Sequence, residues 1–75
     1  MFFDKTENGI LSVEGMHCNH CKAKVENALK ELKGVKKAEA DLASAEVAVT
    51  YLPNKISCAE MVDKINSIGF KASVK

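Results

Sequence analysis

From Ile10 the chain reads Ile-Leu-Ser-Val-Glu, an alternation that puts Leu11 and Val13 on one face and Ser12 and Glu14 on the other. A period of two with one apolar face describes a half-buried strand. Gly15 then permits a sharp change of direction. Met16 keeps the inward parity of Leu11 and Val13, which makes it a buried plug beneath the following loop rather than a thioether ligand. After the loop the period changes. Cys21, Val25, Ala28, Leu29 and Leu32 recur at steps of three and four, the stripe of an amphipathic helix from Asn19 or His20 to Lys33, stopped by Gly34.

Alternation returns over Val35 to Leu42, with Ala38, Ala40 and Leu42 inward and Lys37, Glu39 and Asp41 outward. Val47, Val49 and Tyr51 mark a third strand over Glu46 to Tyr51. The intervening Ala43-Ser44-Ala45 contains neither Gly nor Asn, so no residue there names the turn type. Leu52-Pro53-Asn54-Lys55 closes the third strand, and Ser57 with Glu60 forms a capping-box signature for a second helix ending near Ile68. Its stripe is Cys58, Met61, Val62, Ile65 and Ile68; Gly69 stops it before a last strand, Phe70 to Val74. Met1 to Asn8 has no clear period and reads as an N-terminal extension to a domain over 9–75, with Phe2 and Phe3 available to lengthen the sheet or pack at its edge. The order is βαββαβ. Two helices on one face of a four-stranded antiparallel sheet give an α+β, ferredoxin-like fold.

Composition narrows the function classes. A chain of 75 residues forms one domain, which buries only about 60% of its unfolded surface. With no Trp and few aromatics, its core rests on Val, Ile, Leu, Ala and Met. Eleven basic against ten acidic residues leave a net charge of +1, without the basic footprint of a nucleic-acid binder. No apolar run approaches the ~20 residues of a membrane span, and the start lacks the basic and apolar regions of a signal peptide. The expectation is therefore a cytoplasmic protein without membrane insertion. Three cysteines, two of them close-spaced, do not make a disulfide framework; in a reducing compartment C-x-x-C points to metal binding or redox chemistry.

Cys18 and Cys21 straddle the change from strand to helix. The unpaired amides and positive dipole end of a helix start favour thiolates, and two polarisable anions on one open loop suit a soft metal ion. Structural zinc wants four ligands, and no second pair is available. The topology places Cys58 at the opposite end of the second helix, about 15 Å away for ten residues rising 1.5 Å each, where it reads as a small buried hydrophobe. The same topology brings Gly69 and Phe70 beside the loop. His17 and His20 alternate with the cysteines and read as polar loop residues that tune exposure or thiolate charge, a third-ligand role being the sharper alternative. Lys22, Lys24, Lys30 and Lys33, interrupted by Glu26 and Glu31, read as a solvated helix face rather than a basic docking edge. Cu(I) accepts two thiolates in a near-linear arrangement or three in a trigonal one, so this pair suffices. A thiol-disulfide oxidoreductase is the rival from another class, but the chain is short for a thioredoxin-like domain and Pro53 does not precede the final strand.

Gly15-Met16-His17-Cys18-Asn19-His20-Cys21, with Val25, Leu29, Gly34-Val35, Ile65 and Gly69-Phe70 at their spacings, resembles the heavy-metal-associated domain of copper chaperones and copper-transporting P-type ATPases. The likeness covers about residues 9–75 and implies the same βαββαβ fold. It implies that Cys18 and Cys21 bind Cu(I), with Hg(II) the alternative soft ion, and that Met16 packs rather than ligates. His17 stands where zinc- and cadmium-selective relatives often carry an acidic residue, which favours Cu(I). Phe70, where many soluble chaperones carry Tyr or Lys, is similar to the ATPase domains. A short single domain beginning at Met1 favours a free-standing copper chaperone over an excised ATPase domain. The resemblance implies a binding protein and not an enzyme, delivering copper to a copper-transporting P-type ATPase or a copper-responsive regulator. It is expected to be monomeric when apo and able to form a metal-bridged homodimer.

Overall fold

The computed structural model describes residues 5–75; Phe2 and Phe3, and whatever they add to the sheet, lie outside them. The elements are β1 (Glu7–Glu14), α1 (Asn19–Lys30), β2 (Val35–Asp41), β3 (Glu46–Tyr51), α2 (Cys58–Ser67) and β4 (Lys71–Val74). The strands form one antiparallel sheet in the order β2-β3-β1-β4. Each helix carries the chain across the sheet, and β1 and β3 lie at its centre. This is the expected ferredoxin-like fold.

Alternation decides which face the helices cover. Leu11 and Val13 of β1, Val47 of β3, Leu29 of α1 and Met61 and Ile65 of α2 are all fully buried, and they meet in one cluster between sheet and helices. Cys21, Leu32, Cys58 and Val62, at the margins of the two helical stripes, pack half-buried against it. Each fully buried aliphatic side chain contributes roughly 1.5–3 kcal/mol relative to exposure.

The element ends differ from the pattern by one to three residues, each for a local reason. β1 begins at Glu7 rather than Ile10 because Gly9 pairs with Val49 instead of ending the strand. A Cβ there would sit 3.3 Å from Tyr51 Cε1 and 3.4 Å from Cys58 Sγ, so this glycine marks a close approach. α1 ends at Lys30 rather than Lys33: the Leu32 amide bonds to the Leu29 carbonyl, a tightened last turn, before Gly34 turns the chain. Gly34 has φ +100, and a Cβ would lie 2.9 Å from Ile56 Cγ2. β2 stops at Asp41, whose carboxylate accepts from the Ala43 amide at 2.9 Å, and Ala45 takes the left-handed conformation (φ 56) that Gly or Asn more often fills. α2 stops at Ser67 and β4 starts at Lys71, because the Phe70 amide bonds back to the Ile65 carbonyl and so belongs to the helix cap.

Each edge strand has one outward amide taken up by a helix. Glu26 of α1, expected to be solvated, accepts from the Ala40 amide of β2 at 2.8 Å, and Asn66 of α2 accepts from the Ala72 amide of β4 at 2.8 Å. These bonds tie both helices to the outermost strands and blunt edges that would otherwise template strand addition. Glu26→Ala is expected to lower unfolding stability by about 1–2 kcal/mol, since a part-buried donor loses its partner. Glu26→Gln, which keeps an acceptor, should retain most of it; urea denaturation of the two variants checks this.

Candidate metal centre

β1 delivers the chain to one end of the sheet, and the next four residues divide between core and solvent. Gly15 turns with φ +98, Met16 drops back into the core at 4% exposure, and His17 and Cys18 stand exposed. Met16 is thus the expected plug. Cys18 is the N-cap residue of α1, with extended backbone (φ −148, ψ 170), and its carbonyl accepts the first helical bond from the Lys22 amide at 3.0 Å. Cys21 lies three residues on, half-buried against the core. The Cys18 thiol donates to the Cys21 sulfur at 3.5 Å. That separation is well beyond the ~2.05 Å of a disulfide, and close enough for one ion to touch both sulfurs.

The helix start acts on the exposed sulfur. The Cys21 backbone amide, the Cys21 thiol and the His20 amide hold the Cys18 thiol below the ordinary thiol range, against a small opposing effect of desolvation. No acidic residue lies in the first turn of α1 to offset this. The effect is the one expected at a helix N-terminus, where unpaired N–H groups stabilise an anion.

Phe70 comes to the loop as the topology required: a Cβ on Gly15 would meet Phe70 Cδ1 at 3.5 Å. His17 and His20 are both exposed, and among the described residues no group of three or more His, Cys, Asp or Glu converges as a metal cluster. The donor set brought together is therefore two sulfurs. Cys58 stands apart, half-buried rather than fully buried, with its thiol donating to the Tyr51 hydroxyl at 3.4 Å. Tyr51 showed only as a strand residue in the pattern, since a contact between β3 and α2 leaves no local periodicity. Lys22 and Lys24 part company. Two residues around a helix is about 200°, and Lys22 lies along the β2–β3 hairpin near Asp41 and Ser44 while Lys24 lies toward Lys64 of α2 and Ile68 at its C-cap. They form no common basic edge.

The lowered Cys18 thiol has a pH consequence. Its thiolate is populated below the pH at which an ordinary cysteine ionises, and it is lost as pH falls through the lowered value, where protons compete with any bound cation. In a pH series of iodoacetamide alkylation followed by mass spectrometry, Cys18 should show an inflection below that of cysteine in an unstructured peptide. Moving the amides away, as in unfolding with urea, should return it to the ordinary range.

The comparisons with known proteins agree with this geometry. The model of the heavy-metal-associated domain matches residues 10–71. The copper chaperone CopZ of Staphylococcus aureus (strain MRSA252) is 44% identical over 61 residues, covering 81% of this chain and 90% of that protein. A solved CopZ metallochaperone superimposes with a TM-score of 0.87 at 39% identity, covering 89% of this chain and all of that one (100%). The N-terminal domain of a potential copper-translocating P-type ATPase from Bacillus subtilis, solved in the Cu(I)-loaded state, gives a TM-score of 0.89 at 30% identity over 95% of this chain and 89% of that one. A C-x-x-C loop at a helix start, on a βαββαβ frame matched along most of its length, places this chain in the heavy-metal-associated domain family.

Proposed function

We propose that Cys18 and Cys21 hold one Cu(I) ion as thiolates, and that the protein is a copper metallochaperone delivering its cargo to a homologous C-x-x-C site. The observation that carries this is the pair of sulfurs 3.5 Å apart at the start of α1, with no third protein ligand converging on them among the described residues. Two soft donors suit a soft d¹⁰ cation and leave its remaining coordination positions open. Four-coordinate structural zinc is poorly served by this set. The copper named for the S. aureus relative and for the B. subtilis ATPase domain supports the same cargo.

The asymmetry of the pair gives the transfer an order. Cys21 is held by the helix and the core, whereas Cys18 is exposed and its thiolate is favoured by the amides behind it. An incoming thiolate from the partner adds to the open side of the ion to make a three-coordinate bridge. Cys18, the ligand less fixed by packing, then leaves first, and Cys21 follows when a second partner thiolate replaces it. Copper is never released to water, and no substrate bond is made or broken. The partner of this exchange is a copper-transporting P-type ATPase or a copper-responsive regulator carrying such a thiolate site.

Replacing a ligand should weaken binding more than the 10–100-fold typical of losing an outer-sphere partner. Cys18→Ser and Cys21→Ser are each expected to reduce Cu(I) affinity by more than about 100-fold in competition with a colorimetric Cu(I) chelator, while Cys58→Ser leaves it unchanged. Unchanged affinity in either motif variant would falsify the assignment. The two-sulfur site also predicts sulfur-only coordination by X-ray absorption on the copper-loaded monomer. That spectrum should not change in His17→Ala or His20→Ala.

A further inference from the structure

Among the described residues, nothing packs against the face of the sheet opposite the helices. One row of outward side chains crosses it from edge to edge. In register, Glu39 of β2 lies beside Ala48 of β3, and Ala48 beside Ile10 of β1. The Lys75 amide bonds to the Ile10 carbonyl at 3.1 Å, which places Lys75 next in the row, just beyond the end of β4. All four are exposed, Ile10 to 46%, which is unusual among the large hydrophobic residues described here. The row reads acid, apolar, apolar, base. Read backwards, it is its own complement.

We propose that this face associates with the same face of a second copy, through a two-fold axis parallel to the strands. Such an axis lays β2 over the partner copy's β4 and β3 over its β1. Glu39 then meets Lys75 of the other copy, and Ala48 meets Ile10, each contact occurring twice as an isologous interface requires. The alternative two-fold, perpendicular to the strands, would set Glu39 on Glu39 and Lys75 on Lys75, and like charges face to face suppress it. The neighbouring row, Asp41, Glu46, Ser12 and Ser73, sets Asp41 against Ser73 and Glu46 against Ser12 and adds no like-charge pair. Lys75 is already paired with Glu46 of its own chain, yet its side chain remains 61% exposed and keeps donors free for a second carboxylate. Ile10 and Ala48 also line, with Glu39 and Glu46, one part of an open groove that continues over the β2–β3 hairpin to Lys22.

Size makes this a weak association. Four strands ~4.8 Å apart and five residues of ~3.4 Å give a flat footprint of roughly 300 Å² per copy, far below the ~800 Å² per partner of a stable interface. A dissociation constant on the order of 1 mM is expected, so the dilute apo chain stays monomeric. The two metal loops would point the same way from one end of the pair, both with Cys18 open. This dimer therefore needs no copper, and its existence is independent of the metal assignment.

The test uses the apo protein with a thiol reductant and a copper chelator present, so that metal bridging cannot contribute. Amide chemical shifts recorded from tens of micromolar to several millimolar should move for Ile10, Glu39, Ala48 and Lys75, and stay fixed on the solvent faces of α1 and α2. Glu39→Lys and Lys75→Glu should each weaken the association by about tenfold or more by setting like charges opposite one another. An equimolar mixture of the two variants should associate again, because their rows complement each other. Shifts independent of concentration would overturn the proposal. So would shifts that map to the metal loop or the helices, or a mixture that associates no better than either variant alone.

Discussion

The C-x-x-C end of the domain depends on the way β1 hands the chain to α1. Leu11, Val13 and Met16 on one side of the crossing and Val25 and Leu29 on the other are all buried in one core. Their burial fixes the positions and directions of the two elements, and the short stretch between them has to bridge the gap outside the core. Gly15 makes the turn and Met16 closes the core beneath it, which leaves His17 and Cys18 in solvent at the end of a helix. An exposed thiol is normally a liability. Here the same constraint that exposes it also surrounds it with the unpaired amides of the helix start, which favour its anion. Apolar packing on one side of the loop thus sets up thiolate chemistry on the other.

A thin core has to be held at its margins. In each half of the fold a helix reaches past the sheet edge to take up an amide of the outermost strand, Glu26 to Ala40 and Asn66 to Ala72. The halves share this device though their sequences differ, one using a carboxylate and the other an amide side chain. The far end of the domain is closed by a different contact, where Tyr51 and Cys58 meet over Gly9. The third cysteine is therefore occupied with packing between β3 and α2, remote from the loop, and only two thiols stand together at the start of α1.

Much of this was legible along the chain because it is local. The period-two and stripe patterns of Leu11 to Tyr51 and Cys58 to Ile68 specify which faces are buried, and six elements with those faces admit few topologies. The C-x-x-C spacing and the glycines around it mark the loop. What was not legible arises between elements. Gly9 looks like punctuation until Tyr51 and Cys58 are seen to approach it; Glu26 looks like a solvated charge until the β2 edge lies beside it.

The sequence by itself determined the fold class, the order of elements, the burial of Met16 and the pair of thiols at a helix start, since each follows from short-range periodicity or residue type. Only the tertiary structure decided the relation of the two sulfurs to one another and to their surroundings: the 3.5 Å separation, the amides turned toward Cys18, and the contact of Cys58 with Tyr51 away from them. It likewise aligned Glu39, Ala48, Ile10 and Lys75 in one row from four separate segments. The physical reason is common to all of these. Periodicity along a chain says which way a side chain faces, but which atoms it meets depends on strand register and helix placement, and those are settled only when the core packs.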